Sequence, residues 1–249
     1  MKSKPPCSRP PAPDRPNMSV ERRIAMVLMG ALALAGPAAA DDPPAGREIA
    51  SRGANGAAAC TTCHGAQGEG NPAAGFPRLA GQGADYLAKQ LDDMASGVRP
   101  SPVMQPIAKS LDEAQRRAVS AFYSSLPPPY SEAEVAASAD ADVTPAQRGA
   151  WLAIRGDWSR NLPACNQCHG PGGIGAGGAI PSLAGQSRDY LARQLEAWRT
   201  GQRSPLPLGL MPAVAGRLTP QDMDAVASYY ASLPAGPAAT SAKTGDRHD

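Results

Sequence analysis

The sequence predicts an all-α protein built from two tandem domains that share one architecture. A pentapeptide of the form C-x-x-C-H occurs twice, at residues 60–64 and 165–169. Residues 75–91 match residues 179–195 at an offset of 104, so the chain contains an internal duplication. Within each copy, apolar residues recur at helical spacing. A duplicated unit with its own helices indicates two similar lobes in one chain.

Each repeat is expected to contain three helices. They are predicted at residues 45–52, 85–96 and 111–126 in the first repeat, and at 146–156, 188–200 and from Thr219 in the second. The third helix has a capping-box pattern, Ser110-x-x-Glu113, in the first repeat. In the second repeat it begins with Thr219-Pro220, an N-cap followed by proline at the first helical position.

The two pentapeptides carry the predicted chemistry. C-x-x-C-H is the attachment pattern of c-type haem, in which two thiols one helical turn apart form thioethers with one porphyrin. The adjacent imidazole then becomes the proximal iron ligand. The sequence therefore predicts two covalently bound haem c groups. The predicted thioether residues are Cys60, Cys63, Cys165 and Cys168, and the predicted proximal ligands are His64 and His169.

Two other uses of C-x-x-C pairs fit the sequence less well. A structural zinc site usually has a gap of about 15 to 20 residues between its pairs, whereas 101 residues separate Cys63 from Cys165. A thioredoxin-like redox pair requires a βαβ context. No buried strand is predicted around Cys60 or Cys165.

Met104 and Met211 are the candidate sixth ligands. They match each other at an offset of 107 and lie 40 and 42 residues after their proximal histidines. Each lies in a proline-rich stretch that is predicted to be extended. A second protein ligand converts a haem into an electron carrier. The alternative is that these methionines are flexible core fillers.

Two further methionines are less suited to bind iron, because the other repeat has no methionine at the matching position. Met94 aligns with Trp198 on the core face of the second helix, which indicates packing. Met223 aligns with Arg116.

The first 40 residues predict a leader rather than a part of the fold. Arg22 and Arg23 precede an apolar run at residues 24–35, and small residues follow. This is typical of a secretory signal peptide, here cleaved before Asp41, and Met18 is an alternative start. The leader predicts a periplasmic protein. The rest of the chain has no second apolar segment, which predicts no transmembrane segment but leaves peripheral membrane association open.

These patterns divide the chain into five segments. They are an N-terminal extension with the signal peptide at 1–40, a first domain at 41–127, a linker at 128–144, a second domain at 145–235 and a flexible tail at 236–249. Residues 41–142 have a net charge of −5 and residues 143–249 of +3, which could orient the protein at a charged partner or be ordinary surface scatter. No basic cluster is interleaved with aromatics, so the composition does not indicate nucleic-acid binding.

Each repeat also contains a Pro-x-Leu-Ala-Gly-Gln segment, beginning at Pro77 and at Pro181. With both pentapeptides and both methionines, residues 45–234 resemble a two-domain class I cytochrome c, most closely the periplasmic di-haem cytochrome c4 family. The resemblance implies that the carbonyls of Pro77 and Pro181 accept the N–H of the proximal histidines. Such a bond fixes the imidazole and tunes its basicity.

The resemblance implies an electron carrier of a respiratory chain. Electrons would arrive from a quinol-oxidising complex or a dehydrogenase and leave to a terminal oxidase. The alternative is the haem subunit, or a catalytic cytochrome, of a periplasmic dehydrogenase of the thiosulfate or alcohol type. An enzyme would need an open haem site with a spare cysteine or histidine, and a gas sensor would need a signalling domain. Neither is indicated, so the chain itself is not expected to be an enzyme.

Overall fold

The computed structural model describes residues 43–203 and 209–233, which form helices joined by loops and short 3-10 turns. In these ranges the only β pairing is three isolated bridges, so the all-α prediction is confirmed. No helix within them is long and apolar enough to cross a membrane. The predicted leader, the flexible tail, residues 41–42 of the predicted first domain, and residues 204–208 and 234–235 of the predicted second domain lie outside the described residues.

Within residues 43–203 and 209–233, two sets of five helices repeat, with one short helix between them. The first lobe contains α1 (Pro43–Arg52), α2 (Thr61–His64), α3 (Ala84–Ser96), α4 (Met104–Ser110) and α5 (Glu113–Ser125). Helix α6 (Glu132–Ala137) follows. The second lobe contains α7 (Arg148–Ile154), α8 (Asn166–His169), α9 (Arg188–Arg199), α10 (Leu210–Ala215) and α11 (Pro220–Ser232). The three long helices predicted in each repeat are present, and the short helices α2, α4, α8 and α10 were not predicted.

The same helix pairs form the core of each lobe. Helix α1 packs on α5 and α3 packs on α5, while α7 and α9 pack on α11. Glycine permits the closest of these approaches. A Cβ built on Gly46 would lie 2.1 Å from the carbonyl oxygen of Ala118, and one on Gly149 would lie 2.2 Å from that of Ala225. Any side chain at either position would separate the paired helices.

The N-cap of the third helix differs from the prediction in the first repeat and agrees with it in the second. The Ser110 capping box was wrong, because Ser110 ends α4 and its hydroxyl donates to the Pro106 carbonyl at 3.0 Å. The residue that caps α5 is Asp112, which forms a reciprocal capping box with Gln115. Thr219 caps α11 as predicted, in a box with Asp222.

The extended conformation predicted around the two candidate ligand methionines was also wrong. Met104 begins α4 and Met211 is the second residue of α10. Pro106 and Pro212 lie in the first turns of these helices, where no backbone N–H is needed for an intrahelical bond. The preference of a residue before proline for an extended backbone is outweighed there.

The connector between the lobes is more ordered than its Ala/Pro-rich sequence suggests. Besides α6 it contains a 3-10 turn at Ser138–Asp140. Tyr130 and Val135 are buried, at 5% and 0% exposure, in the core of the second lobe. This part of the predicted linker therefore packs as an extension of the second lobe.

Candidate haem sites

One continuous cavity of about 1050 Å³ contains both predicted sites. Its lining includes every residue that the sequence singled out: Cys60, Cys63, His64, Pro77, Met104, Cys165, Cys168, His169, Pro181 and Met211. Residues separated by more than 140 positions are thus brought around one space. A mostly apolar cavity of this size suits large flat ligands.

The two histidines are held in the same way by the two lobes. The Nδ1 atom of His64 lies 2.9 Å from the carbonyl oxygen of Pro77, and that of His169 lies 2.8 Å from the oxygen of Pro181. Because a carbonyl can only accept, Nδ1 donates in both pairs, and Nε2 is the nitrogen with the free lone pair. Nε2 of His64 is buried and has no hydrogen-bond partner in the described part of the chain. This arrangement fits a histidine that binds metal through Nε2.

Burial keeps both imidazoles neutral. It lowers the pKa of His64 and of His169, and this effect outweighs the opposite effect of the bonds to Pro77 and Pro181. A histidine must be neutral to bind a metal. The environment of each ring therefore favours the form that iron ligation requires.

Cys60 and Cys165 are the N-cap residues of α2 and α8. Cys63 and Cys168 lie within these helices, directly before the histidines. Burial raises the pKa of the Cys60 thiol, and it raises that of Cys165 to about 11. Redox-active C-x-x-C pairs have lowered thiol pKa values instead. The surroundings of Cys60 and Cys165 thus argue against the thioredoxin-like alternative.

The candidate methionines come from a later part of each lobe than the cysteines and histidines. Met104 and Met211 both line it, and each follows an exposed apolar residue, Val103 and Leu210. Met94 also lines the cavity and is 8% exposed, so its position does not by itself exclude contact with a bound group. Met223 is not among the lining residues and packs in the core of the second lobe.

The sequence reasoning missed a polar cluster at the seam between the lobes. Arg99 donates to Gln194 of the other lobe at 2.8 Å and to Gln90 at 3.1 Å. Arg203 donates to Gln194 at 2.9 Å and to Gln90 across the seam. These residues could have been found from the repeat, because both pairs match at an offset of 104.

Two donors at this seam have no acceptor among the residues that the structure describes. Nε2 of Gln90 and the indole Nε1 of Trp198 are buried without hydrogen-bond partners, and both side chains line the cavity. The guanidinium of Arg203 lies 4.0 Å above the Trp198 ring. Unpaired buried donors beside two arginines are suited to bind the negatively charged edge of a ligand, such as the carboxylates of a haem.

Comparison with known proteins identifies the family. The cytochrome c family matches residues 50–127, and the family described as cytochrome c oxidase, cbb3-type, subunit III matches residues 153–229. Cytochrome c4 of Pseudomonas aeruginosa is 33% identical over 214 residues, which are 85% of this chain and 98% of the relative. The chain belongs to the di-haem class I cytochromes c.

Further similarities of this di-haem cytochrome are to a thiosulfate dehydrogenase, to a thiosulfate dehydrogenase electron acceptor and to a second cytochrome c4. The thiosulfate dehydrogenase electron acceptor of Thiomonas intermedia (strain K12) is 44% identical over 88% of this chain and 94% of the relative. The solved thiosulfate dehydrogenase (TsdBA) of Marichromatium purpuratum has a TM-score of 0.68 and 45% identity over 77% of this chain, which spans 40% of that longer chain. Reduced cytochrome c4 from Pseudomonas stutzeri has a TM-score of 0.60 and 30% identity, over 78% of this chain and all of that chain.

The family membership settles the cofactor and the general activity. This di-haem cytochrome carries two covalently bound haem c groups and is an electron carrier.

Proposed function

We propose that this di-haem cytochrome is the electron acceptor of a periplasmic thiosulfate dehydrogenase and passes electrons on towards a terminal oxidase of a respiratory chain. The support for this donor is the similarity to the thiosulfate dehydrogenase electron acceptor over nearly the whole length of that relative. The resemblance to the cytochrome c4 family also implies a quinol-oxidising complex as donor. The experiment below distinguishes these two donors.

Each lobe would hold one haem with its own residues. When bound, each haem supplies a one-electron Fe(III)/Fe(II) couple. The assigned thioether residues are Cys60 and Cys63 in the first lobe and Cys165 and Cys168 in the second. The assigned iron ligands are His64 with Met104 and His169 with Met211. The observation that carries this proposal is the duplicated Nδ1 contact of each histidine to a proline carbonyl beside the shared cavity.

The chain's residues serve a carrier better than an enzyme. The carbonyls of Pro77 and Pro181 hold the imidazoles in one orientation, so little rearrangement accompanies a change of iron charge. A methionine as second ligand favours the reduced state relative to two histidines. Outside the two motifs the sequence has only Cys7 and His248, both beyond the described residues. We therefore infer that oxidation of the substrate takes place on the partner.

The stoichiometry of thiosulfate chemistry matches two one-electron sites. Coupling two thiosulfate ions through a new S–S bond gives tetrathionate and releases two electrons, one for each haem. The test mixes oxidised holoprotein with thiosulfate, with and without a purified thiosulfate dehydrogenase, and follows both haems optically. We expect two haems per chain to be reduced only when the dehydrogenase is present.

The other outcomes of this experiment are equally informative. Catalytic tetrathionate formation without the dehydrogenase would show that the chain is itself the enzyme. No reduction in either mixture, but rapid reduction by a quinol-oxidising complex, would replace the donor while keeping the carrier role.

The compartment and the domain limits belong to the same proposal. Haem attachment to C-x-x-C-H takes place outside the bacterial cytoplasm, which agrees with a signal peptide at residues 1–40 and a periplasmic mature chain. We propose mature domains at 41–127 and 145–235, joined by the linker. Mass and N-terminal sequencing of the exported protein should give Asp41 as the first residue.

A further inference from the structure

The most deeply buried arginine of the described residues, Arg78, lies between the two lobes. Arg78 is 2% exposed, and it forms no ion pair within the described residues. Its guanidinium donates to the carbonyl of Ala184 at 2.9 Å, to the hydroxyl of Ser182 at 3.1 Å and to the carbonyl of Ala80. Its Cζ lies 5.5 Å from the centre of the Tyr130 ring. The charge is thus surrounded by neutral groups.

This arginine adjoins the supports of both histidines. Arg78 directly follows Pro77, whose carbonyl accepts from His64. The guanidinium bonds to Ser182, which directly follows Pro181, whose carbonyl accepts from His169. Ser182 is the repeat counterpart of Arg78, so the second lobe supplies no matching charge. Both side chains line the shared cavity.

A buried charge without a counter-ion acts strongly on nearby charges, because little water screens it. The ferric form of a haem iron carries one more positive charge than the ferrous form. A fixed cation near the iron therefore disfavours the ferric form. Since the structure places this cation between the histidine supports of both lobes, its effect should reach both irons.

We propose that Arg78 raises the reduction potentials of both haems together. Arg78 acts through its fixed positive charge and does not bind iron. This charge makes the two haems better electron acceptors than their iron ligands alone would make them. The inference depends on the two haem sites but not on the identity of the donor, because the potentials are measured without any partner.

The test compares three variants as purified holoproteins with two haems per chain. Arg78→Met removes the charge at similar volume, and Arg78→Lys keeps the charge but loses the planar fork. Arg193→Met is the matched control. Arg193 also lines the cavity and reaches across the seam, donating to the Gly75 carbonyl at 3.1 Å, but it is exposed, so water screens its charge. Spectroelectrochemical titration gives the midpoint of each haem.

We expect Arg78→Met to lower both midpoints, each by about a tenfold change in the Fe(III)/Fe(II) ratio at fixed potential, or about 59 mV for one electron. Arg78→Lys should retain most of the wild-type potential, and Arg193→Met should match the wild type. If Arg78→Met does not accumulate, Arg78→Gln provides the same neutral comparison.

Three results would overturn the proposal. They are unchanged midpoints in the neutral variant, a shift at only one haem, or an equal shift in the lysine and neutral variants. The last result would mean that the hydrogen bonds of the fork matter and the charge does not.

Discussion

The carboxylate of Asp222 is a buried acidic group of the second lobe that accepts several hydrogen bonds. Its side chain is 5% exposed and accepts from Arg148 at 2.7 Å and from Arg160 at 2.8 Å. Burial alone would raise its pKa, but the bonds from Arg148, Arg160 and Thr219 outweigh burial and hold the pKa of Asp222 well below its usual value. The first lobe has a neutral counterpart, in which Asn55 donates to Gln115 at 2.9 Å.

Asp222→Asn should destabilise the second lobe by about 2 kcal/mol, because two partly buried arginines then share Asp157 as their one remaining counter-charge within the described residues. A group with a depressed folded pKa contributes stability above its unfolded pKa of about 4 and loses it as the pH falls further. The wild type should therefore lose stability below about pH 4, and the variant should lose less over that range. Denaturant titrations of the holoprotein between pH 3 and pH 7 measure both effects.

Asp224→Asn is the control for this prediction. Asp224 lies on the same helix, pairs with Arg188 and is 51% exposed. Exposed pairs contribute little, so this variant should stay within about 0.5 kcal/mol of the wild type. Equal losses in the two variants would show that the buried cluster has no special role.

The assignment of Met104 and Met211 as iron ligands can be tested by opening each site. Met104→Ala and Met211→Ala should each leave one haem with a single protein ligand, because alanine has no donor atom. Reduced holoprotein should then bind one carbon monoxide per chain in either variant, two in the double variant and none in the wild type. Optical titration with haem counted per chain measures this.

Met94→Leu is the matched control, since Met94 lines the same cavity and leucine has a similar volume. Its reduced form should bind no carbon monoxide. Carbon monoxide binding to Met94→Leu but not to Met104→Ala would transfer the ligand role to Met94.

At the scale of elements, each lobe depends on one close helix crossing. Gly46 of α1 lies against α5, and Gly149 of α7 lies against α11. In both places a Cβ would overlap a carbonyl oxygen of the facing helix, which is backbone and cannot turn aside. The crossings therefore tolerate no side chain.

Gly46→Ala should destabilise the first lobe, and Gly149→Ala the second, each by about 2 kcal/mol or more. The gain in helix propensity from alanine is smaller, about 1 kcal/mol. Thermal unfolding followed by circular dichroism measures the loss. Ala45→Ser adds one atom at an exposed position of α1 and should change little. A stabilised Gly46→Ala variant would contradict the tight crossing.

The sequence predicted those features that depend on local pattern. The long helices follow from apolar spacing. The proposed haem ligands come from the duplicated motifs and the matched methionines, and the roles of Pro77 and Pro181 come from the family resemblance. The short helices containing Met104 and Met211 were missed, because the proline rule for the preceding residue was applied without considering that proline is accepted in a first turn. The repeat marks Arg99 and Arg203 as matching residues. That they meet in one cluster depends on how the lobes pack, which the sequence of a repeat does not show.

At the scale of the whole molecule, two glutamines bind the lobes to each other reciprocally. Gln82 accepts from the backbone N–H of Ser182 at 3.0 Å and donates to its carbonyl at 2.9 Å. Gln186 makes the same two bonds to the backbone of Arg78, both at 3.1 Å. Both glutamines are 3% exposed. Each pair resembles the pairing of adjacent strands, with a side-chain amide in place of one backbone.

The double variant Gln82→Leu, Gln186→Leu should therefore uncouple the lobes. Four backbone groups at the seam and the N–H of Ser187 lose their partners, and each unsatisfied buried group costs about 1 to 3 kcal/mol unless the seam opens to water. Opening the seam restores their hydrogen bonds at the expense of lobe contacts. We expect the wild type to unfold in one calorimetric transition and the variant in two, one for each lobe, with both haems retained. Gln221→Leu changes an exposed glutamine of α11 and should keep the single transition. A single transition in the double variant, at the wild-type temperature, would show that the apolar contacts and Arg78 hold the lobes together without the glutamines.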